Sequence, residues 1–103
     1  MRSILSEQAK QEIRQAAKYI DKEFGKKRRD EFMQEIREAR HLIESNPNIG
    51  PVEPLLAELP GMYRGYVMNR INKIVYRVSS DIIYIADFWD VRRAPESLAA
   101  QVK

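Results

Sequence analysis

Ile71-Asn72-Lys73-Ile74-Val75-Tyr76-Arg77-Val78, followed after Ser79-Ser80-Asp81 by Ile82-Ile83-Tyr84-Ile85-Ala86-Asp87-Phe88-Trp89, decides the fold. Both runs are rich in β-branched and aromatic residues, which suit a pleated, half-buried surface. The polar triplet between them is a hairpin turn. A third run of the same kind, Tyr63 to Met68, precedes them across Asn69-Arg70, so the three form an antiparallel meander. In the middle strand Lys73, Val75 and Arg77 alternate with Ile74, Tyr76 and Val78. Side chains two apart share a face of a sheet, so one face packs inward and the other carries cations into solvent.

Upstream of the meander the period changes. Ser6 can cap a helix with Glu7 in its first turn, and Ile13, Ala16, Ala17, Ile20 and Phe24 recur at helical spacing until Gly25 stops the pattern. Phe32, Ile36, Ala39 and Ile43 form a second stripe that ends at Asn46-Pro47, because proline disfavours helix in the residue before it. Lys26-Lys27-Arg28-Arg29 falls at the turn between them, either as a solvated loop or as a phosphate contact. From Asn48 to Gly61, Pro51, Pro54 and Pro60 with two glycines predict an irregular connector, with a short turn at Leu55 to Leu59. Ile4 and Leu5 can add a short edge strand. The fold class is α+β: an N-terminal two-helix hairpin packed on a three- to four-stranded antiparallel β-sheet, in one domain over residues 1–103.

The composition agrees with one compact domain. The 103 residues are 44% hydrophobic and 32% charged, enough for a small core and a solvated surface. There is no cysteine, so disulfides, thiolate nucleophiles and sulfur-ligated zinc are excluded. Met1 to Lys10 holds no secretory apolar run and no stretch is long enough to span a membrane, so the expectation is a cytoplasmic protein with no membrane partner. The net charge is +3, and its distribution is uneven. Residues 1–61 carry eleven basic and eleven acidic side chains, whereas 62–103 carry seven basic against four acidic, so an anionic partner is expected on the C-terminal part.

The chemistry available is narrow. His41 is the only histidine and lies on the second helix, so it reads as a surface residue and no two-histidine acid–base pair exists. Asp81, Asp87 and Asp90 do not have the spacing of a recognised ligand motif, and no metal or cofactor is expected. Arg64, Lys73, Arg77, Arg92 and Arg93 are the sharper set. If the strands pair in order, these groups can converge to hold a phosphate or stabilise a phosphoryl transition state. The alternative is a solvated face cross-paired with Asp87 or Asp90. Tyr63, Tyr66, Tyr76 and Tyr84 can stack on bases, but alternating strand aromatics belong to cores, and Tyr76 is assigned there.

Taken together, Leu5 to Ala9, Tyr19-Ile20, Phe24-Gly25, Phe32, Ile43 to Gly50, Lys73 to Val78, Ile82 to Ala86, Phe88 to Arg93 and Pro95 resemble the RelE/ParE superfamily of bacterial type II toxins. The resemblance spans nearly the whole chain and implies a helical hairpin on a small antiparallel sheet. It also implies a growth-arresting toxin neutralised by a cognate antitoxin, in a possible toxin–antitoxin hetero-oligomer. RelE-like members are metal-independent ribonucleases acting on mRNA in the ribosome; ParE-like members inhibit DNA gyrase. By position, Arg64, Lys73 and Arg92 match RelE-type catalytic cations, while Tyr66 replaces a second strand lysine. Leu98 stands about where a C-terminal catalytic tyrosine is expected, and Asp90 where related nucleases have histidine. Asp90 is a weak candidate base, because Arg92 and Arg93 would lower its pKa. The proton-transfer residue is therefore missing or unrecognised, and the Asn46-Pro47 to Gly50 ending is more ParE-like, so gyrase inhibition is favoured over mRNA cleavage. A degenerate member that only binds its antitoxin is the third reading.

Overall fold

The computed structural model describes residues 1–93 and 96–102. Pro95, part of the resemblance, and Lys103 lie outside the described residues. Strand β1 (Arg2–Leu5) leads into helices α1 (Glu7–Phe24) and α2 (Lys26–Ser45); after a 3-10 turn at Pro54–Leu56 come β2 (Tyr63–Val67), β3 (Asn72–Ser79), β4 (Ile82–Asp90) and helix α3 (Glu96–Val102).

Helix α1 starts where its sequence cap requires. The Ser6 hydroxyl oxygen accepts from the Ala9 N–H at 3.0 Å, and the hydroxyl donates to the Ala86 carbonyl at 2.6 Å, so one side chain caps the helix and ties it to β4. Gly25 alone separates the helices, at φ +92°, a left-handed conformation that favours glycine. The turn is thus one residue long, and Lys26 to Arg29 form the first turn of α2 rather than a loop. Cations there oppose the helix dipole, and carboxylates offset them: Arg29 pairs with Asp21 at 3.1 Å and Arg28 with Glu35 at 3.0 Å. Phe24 is not core, contrary to what its helical spacing predicts. The last residue of α1, it is 67% exposed and meets the Tyr19 ring edge-on.

The apolar stripes of both helices bury one face of the sheet. Ala9, Ile13, Phe32, Ile36, Ala39 and Ile43 pack on Ile74, Tyr76, Ile83, Ile85 and Phe88, with the Phe32 and Phe88 rings edge-to-face at 5.8 Å. The strand order is β1-β4-β3-β2. Strands β2, β3 and β4 form the expected antiparallel meander, whereas β1 runs parallel to β4, with Ile4 opposite Tyr84. The all-antiparallel expectation is corrected for that pair. Its cause is topological: the helical hairpin returns the chain to the end it left, and residues 46–62 then lead it back along the sheet, with Val52 bridging Arg64 antiparallel, before β2 begins.

The other face is not the open cationic surface that alternation predicts. Leu56, Tyr63, Val75, Ala86, Trp89 and Leu98 form a second core, roofed by the 3-10 turn and α3. A bulge contributes: Val75 pairs with Asp87 and Tyr76 with Ile85, so Ala86 is the extra residue and β4 changes phase there. One strand edge is also closed. The Ser3 N–H donates to Glu44 at 3.0 Å and the Ser3 carbonyl accepts from Arg40 at 3.1 Å, occupying backbone groups that an incoming strand would use.

Tyr76 locks the connector to the sheet. Its hydroxyl donates to the Pro47 carbonyl at 2.7 Å and accepts from the Gly50 N–H at 3.1 Å, and burial pushes its pKa up. A Cβ at Gly50 would lie 2.8 Å from the Gly65 carbonyl oxygen, so only glycine permits this approach. Tyr76→Phe keeps the ring and leaves the Gly50 N–H unsatisfied, so chemical denaturation should show a loss of about 1–3 kcal/mol; an unchanged midpoint would mean that the lock does not hold.

Candidate functional site

Strand register decides whether the five cations meet. Tyr63 lies opposite Arg77 and Arg64 opposite Tyr76, so Arg64 projects from the helix-facing side of β2 while Lys73 and Arg77 project from the other. The meander pairs in order, yet the parity of that register corrects the expected convergence. Arg64 reaches the connector instead, donating from Nη1 to the Gly50 carbonyl at 2.9 Å.

Lys73 turns inward. Its Nζ sits 2.5 Å from Oε2 of Glu53, and both side chains are largely removed from water. Glu53 also accepts from the Leu55 N–H through Oε1 at 3.3 Å, capping the 3-10 turn. Space for the pair depends on Gly65, where a Cβ would come within 2.6 Å of Lys73 Cδ and 3.0 Å of Glu53 Oε2. The connector acid that meets this strand cation carries no marker in the sequence, since the pairing is set by the fold of residues 51–65.

Arg92 and Arg93 part after β4. Arg92 is exposed and binds Asp90 twice, with Nη2 at 2.6 Å from Oδ2 and Nε at 3.0 Å from Oδ1. The Arg92 hydrogen bond is the largest influence holding the Asp90 carboxyl below the usual carboxylate range, which makes Asp90 a poor proton acceptor. Arg93 lies over the Trp89 ring at 4.4 Å, approaches Glu12 at 3.6 Å and hydrogen-bonds Gln101 of α3.

Asp87 is the acid that alternation misplaces. Read from the sequence it belongs to a solvated face, but the bulge brings it beneath α3, fully buried. It accepts from the Phe88 N–H at 2.8 Å and from Gln101 Nε2 at 2.9 Å, and burial is the main cause raising its pKa. Gln101 therefore links Asp87 to Arg93 and pins α3 to the sheet, while Leu98 fills the apolar space beside Trp89. His41 is exposed, as its position on α2 predicts. Among the described residues no three acidic or histidine side chains gather where they could hold a metal ion.

Two surface features have no counterpart in the sequence reading. A groove of about 420 Å³ runs between α1 and the ends of β3 and β4, with Ala16, Ile20 and Phe88 inside it and Tyr19 and Arg92 at its walls. On the opposite face, Arg77 lies between Tyr63 and Tyr84, 6.0 and 5.0 Å from the two ring centroids. Only cross-strand register reveals that row. Chemically, the surface can present charge and aromatic area to a partner; what it lacks among the described residues is a poised base beside converging cations.

Comparison with known proteins supplies a family. The family description "ParE toxin of type II toxin-antitoxin system, parDE" matches residues 4–95. Among solved structures, one titled as the chromosomal ParDE TA system from P. aeruginosa superposes with a TM-score of 0.71 at 20% sequence identity, covering 87% of this chain and 95% of that one. No curated protein matches significantly in sequence.

The Glu53–Lys73 pair generates a stability test. Lys73→Met strands a buried carboxylate and should cost about 3–5 kcal/mol, whereas Lys73→Met with Glu53→Gln should recover most of that loss. Urea unfolding of the single and double variants measures the difference; equal stabilities would mean that the pair is not desolvated.

Proposed function

The chain belongs to the ParE toxin family of type II toxin-antitoxin systems, and from that premise we propose that it arrests growth by binding DNA gyrase, with a cognate antitoxin as its neutralising partner. The observation that carries this reading is the dispersal of the cations. Ribonuclease chemistry on the resembling positions asks Arg64, Lys73 and Arg92 to surround one phosphate, with Asp90 or another group taking the 2′-hydroxyl proton. Arg64 and Lys73 instead project from opposite faces of the sheet, Lys73 is engaged with Glu53, and Arg92 is engaged with Asp90. General acid–base transfer typically contributes about 10²–10⁴-fold to an enzyme's rate, and Leu98, which stands about where the resemblance expects the catalytic tyrosine, is buried.

A binding mechanism needs none of that machinery. It needs an exposed surface on a rigid scaffold, and Tyr19, Phe24, Arg77 and the exposed Arg92 are set on such a scaffold. Among the described residues no helix is long and apolar enough to cross a membrane. Arg92 and Arg93 remain candidates for contact with the target.

Purified protein should inhibit gyrase-driven supercoiling of plasmid DNA, and primer extension on transcripts from arrested cells should show no codon-phased cuts. Transcript cuts with undisturbed supercoiling would replace this reading with the ribosomal one.

A further inference from the structure

One row of directly opposed residues crosses all four strands on the face away from the helical hairpin. Tyr63 on β2 faces Arg77 on β3, Arg77 faces Tyr84 on β4, and Tyr84 faces Ile4 on β1. One end of the row and the adjoining part of this face are roofed: Tyr63, Val75, Ala86 and Trp89 belong to the core beneath the 3-10 turn and α3. The row continues beyond that roof, ending at Ile4, which is 45% exposed.

Arg77 differs from the other strand cations in how it is held. Lys73, Arg92 and Arg93 each have a carboxylate partner, and Arg64 donates to a backbone carbonyl. Arg77 has no acidic partner among the described residues; two phenol rings hold its guanidinium. Rings fix a guanidinium through its π face and leave its N–H edge available to an acceptor. Beside it lies a groove of about 400 Å³ formed with Leu59, Pro60, Gly61 and Tyr63. Gly61 sits at φ +91°, and a Cβ there would come within 3.2 Å of Arg77 Cδ, so the groove wall is shaped around this side chain.

We propose that the Arg77–Tyr84–Ile4 part of this row, with Tyr63 buried behind the arginine, is a docking strip for a carboxylate-bearing segment of the antitoxin, in which an Asp or Glu side chain engages Arg77 and an aliphatic neighbour lies on Tyr84 and Ile4. The inference rests on the reading of this chain as the toxin half of a pair. The strip's chemistry selects this occupant. A single guanidinium among apolar and aromatic groups matches one acid flanked by apolar residues, while a nucleic-acid backbone calls for a track of several cations. The positive excess of residues 62–103 draws an acidic segment to the same region. An anion pre-positioned opposite a ring-held arginine can make two parallel hydrogen bonds, the geometry in which arginine outperforms lysine.

Titration calorimetry of the purified chain with its antitoxin tests the strip, with thermal unfolding as the check that each variant is folded. Arg77→Ala should weaken binding by about tenfold or more, the loss typical of a central arginine anchor. Arg77→Lys should recover only part of it. Ile4→Glu, at the exposed end of the row, should weaken binding without touching the arginine. Arg37→Ala, on the far side of α2, should bind as the parent does. A parent chain that binds no antitoxin overturns the toxin–antitoxin reading and this inference together. Normal parent binding that Arg77→Ala and Ile4→Glu both retain overturns the inference alone. Binding of a short DNA duplex that Arg77→Ala abolishes, with antitoxin affinity unchanged, assigns the strip to nucleic acid and overturns it as well.

Discussion

Ile74, Val75 and Tyr76 are consecutive in β3, and all three are buried. A strand alternates sides, so three successive buried residues require cover on both faces. The helical hairpin provides one cover and the roof formed by the 3-10 turn and α3 provides the other. This constraint organises the rest. Polar groups caught under the roof must be satisfied there: Lys73 by Glu53, Asp87 by Gln101 and the Phe88 N–H. A seven-residue helix such as α3 is not stable alone, and Leu98 and Gln101 are what hold it in place.

Much of this could be read from residue order. Ser6 and Gly25 bound α1 as capping chemistry dictates, and Phe32, Ile36, Ala39 and Ile43 are all buried, because their spacing matches the turn of a helix in contact with one surface. Ile4 and Leu5 do form the extra strand. What escaped the reading depends on contacts far apart in the chain. The direction of β1 is set by the route of residues 46–62, not by anything in Arg2 to Leu5. The roof was invisible because Leu56 and Leu98 stand in segments with no periodic pattern. Phe24 has core chemistry at helical spacing, but it sits at a helix end that extends past the packed surface.

The candidate site was legible as a list of residues and not as an arrangement. Alternation placed Lys73 and Arg77 on one face correctly, but nothing local fixes the register of β2 against β3, and that register puts Arg64 on the other side. The bulge opposite Val75 similarly moves Asp87 under α3. Cations expected to gather round a phosphate are used instead as clamps between segments: Arg64 holds the connector, Lys73 holds the 3-10 turn, and Arg93 joins α1, β4 and α3. Arg77 is held by two rings and has no acidic partner among the described residues.

Native-state amide hydrogen exchange tests the two-sided burial of β3 most directly. The amides of Ile74, Val75, Tyr76 and Ile85 should exchange only through global unfolding, with opening free energies equal to that from denaturant unfolding, while those of α3 open at lower free energy. Exchange of the β3 amides through local openings, at free energies well below that of global unfolding, would contradict the account, because a strand covered on both faces has no partial opening that frees it.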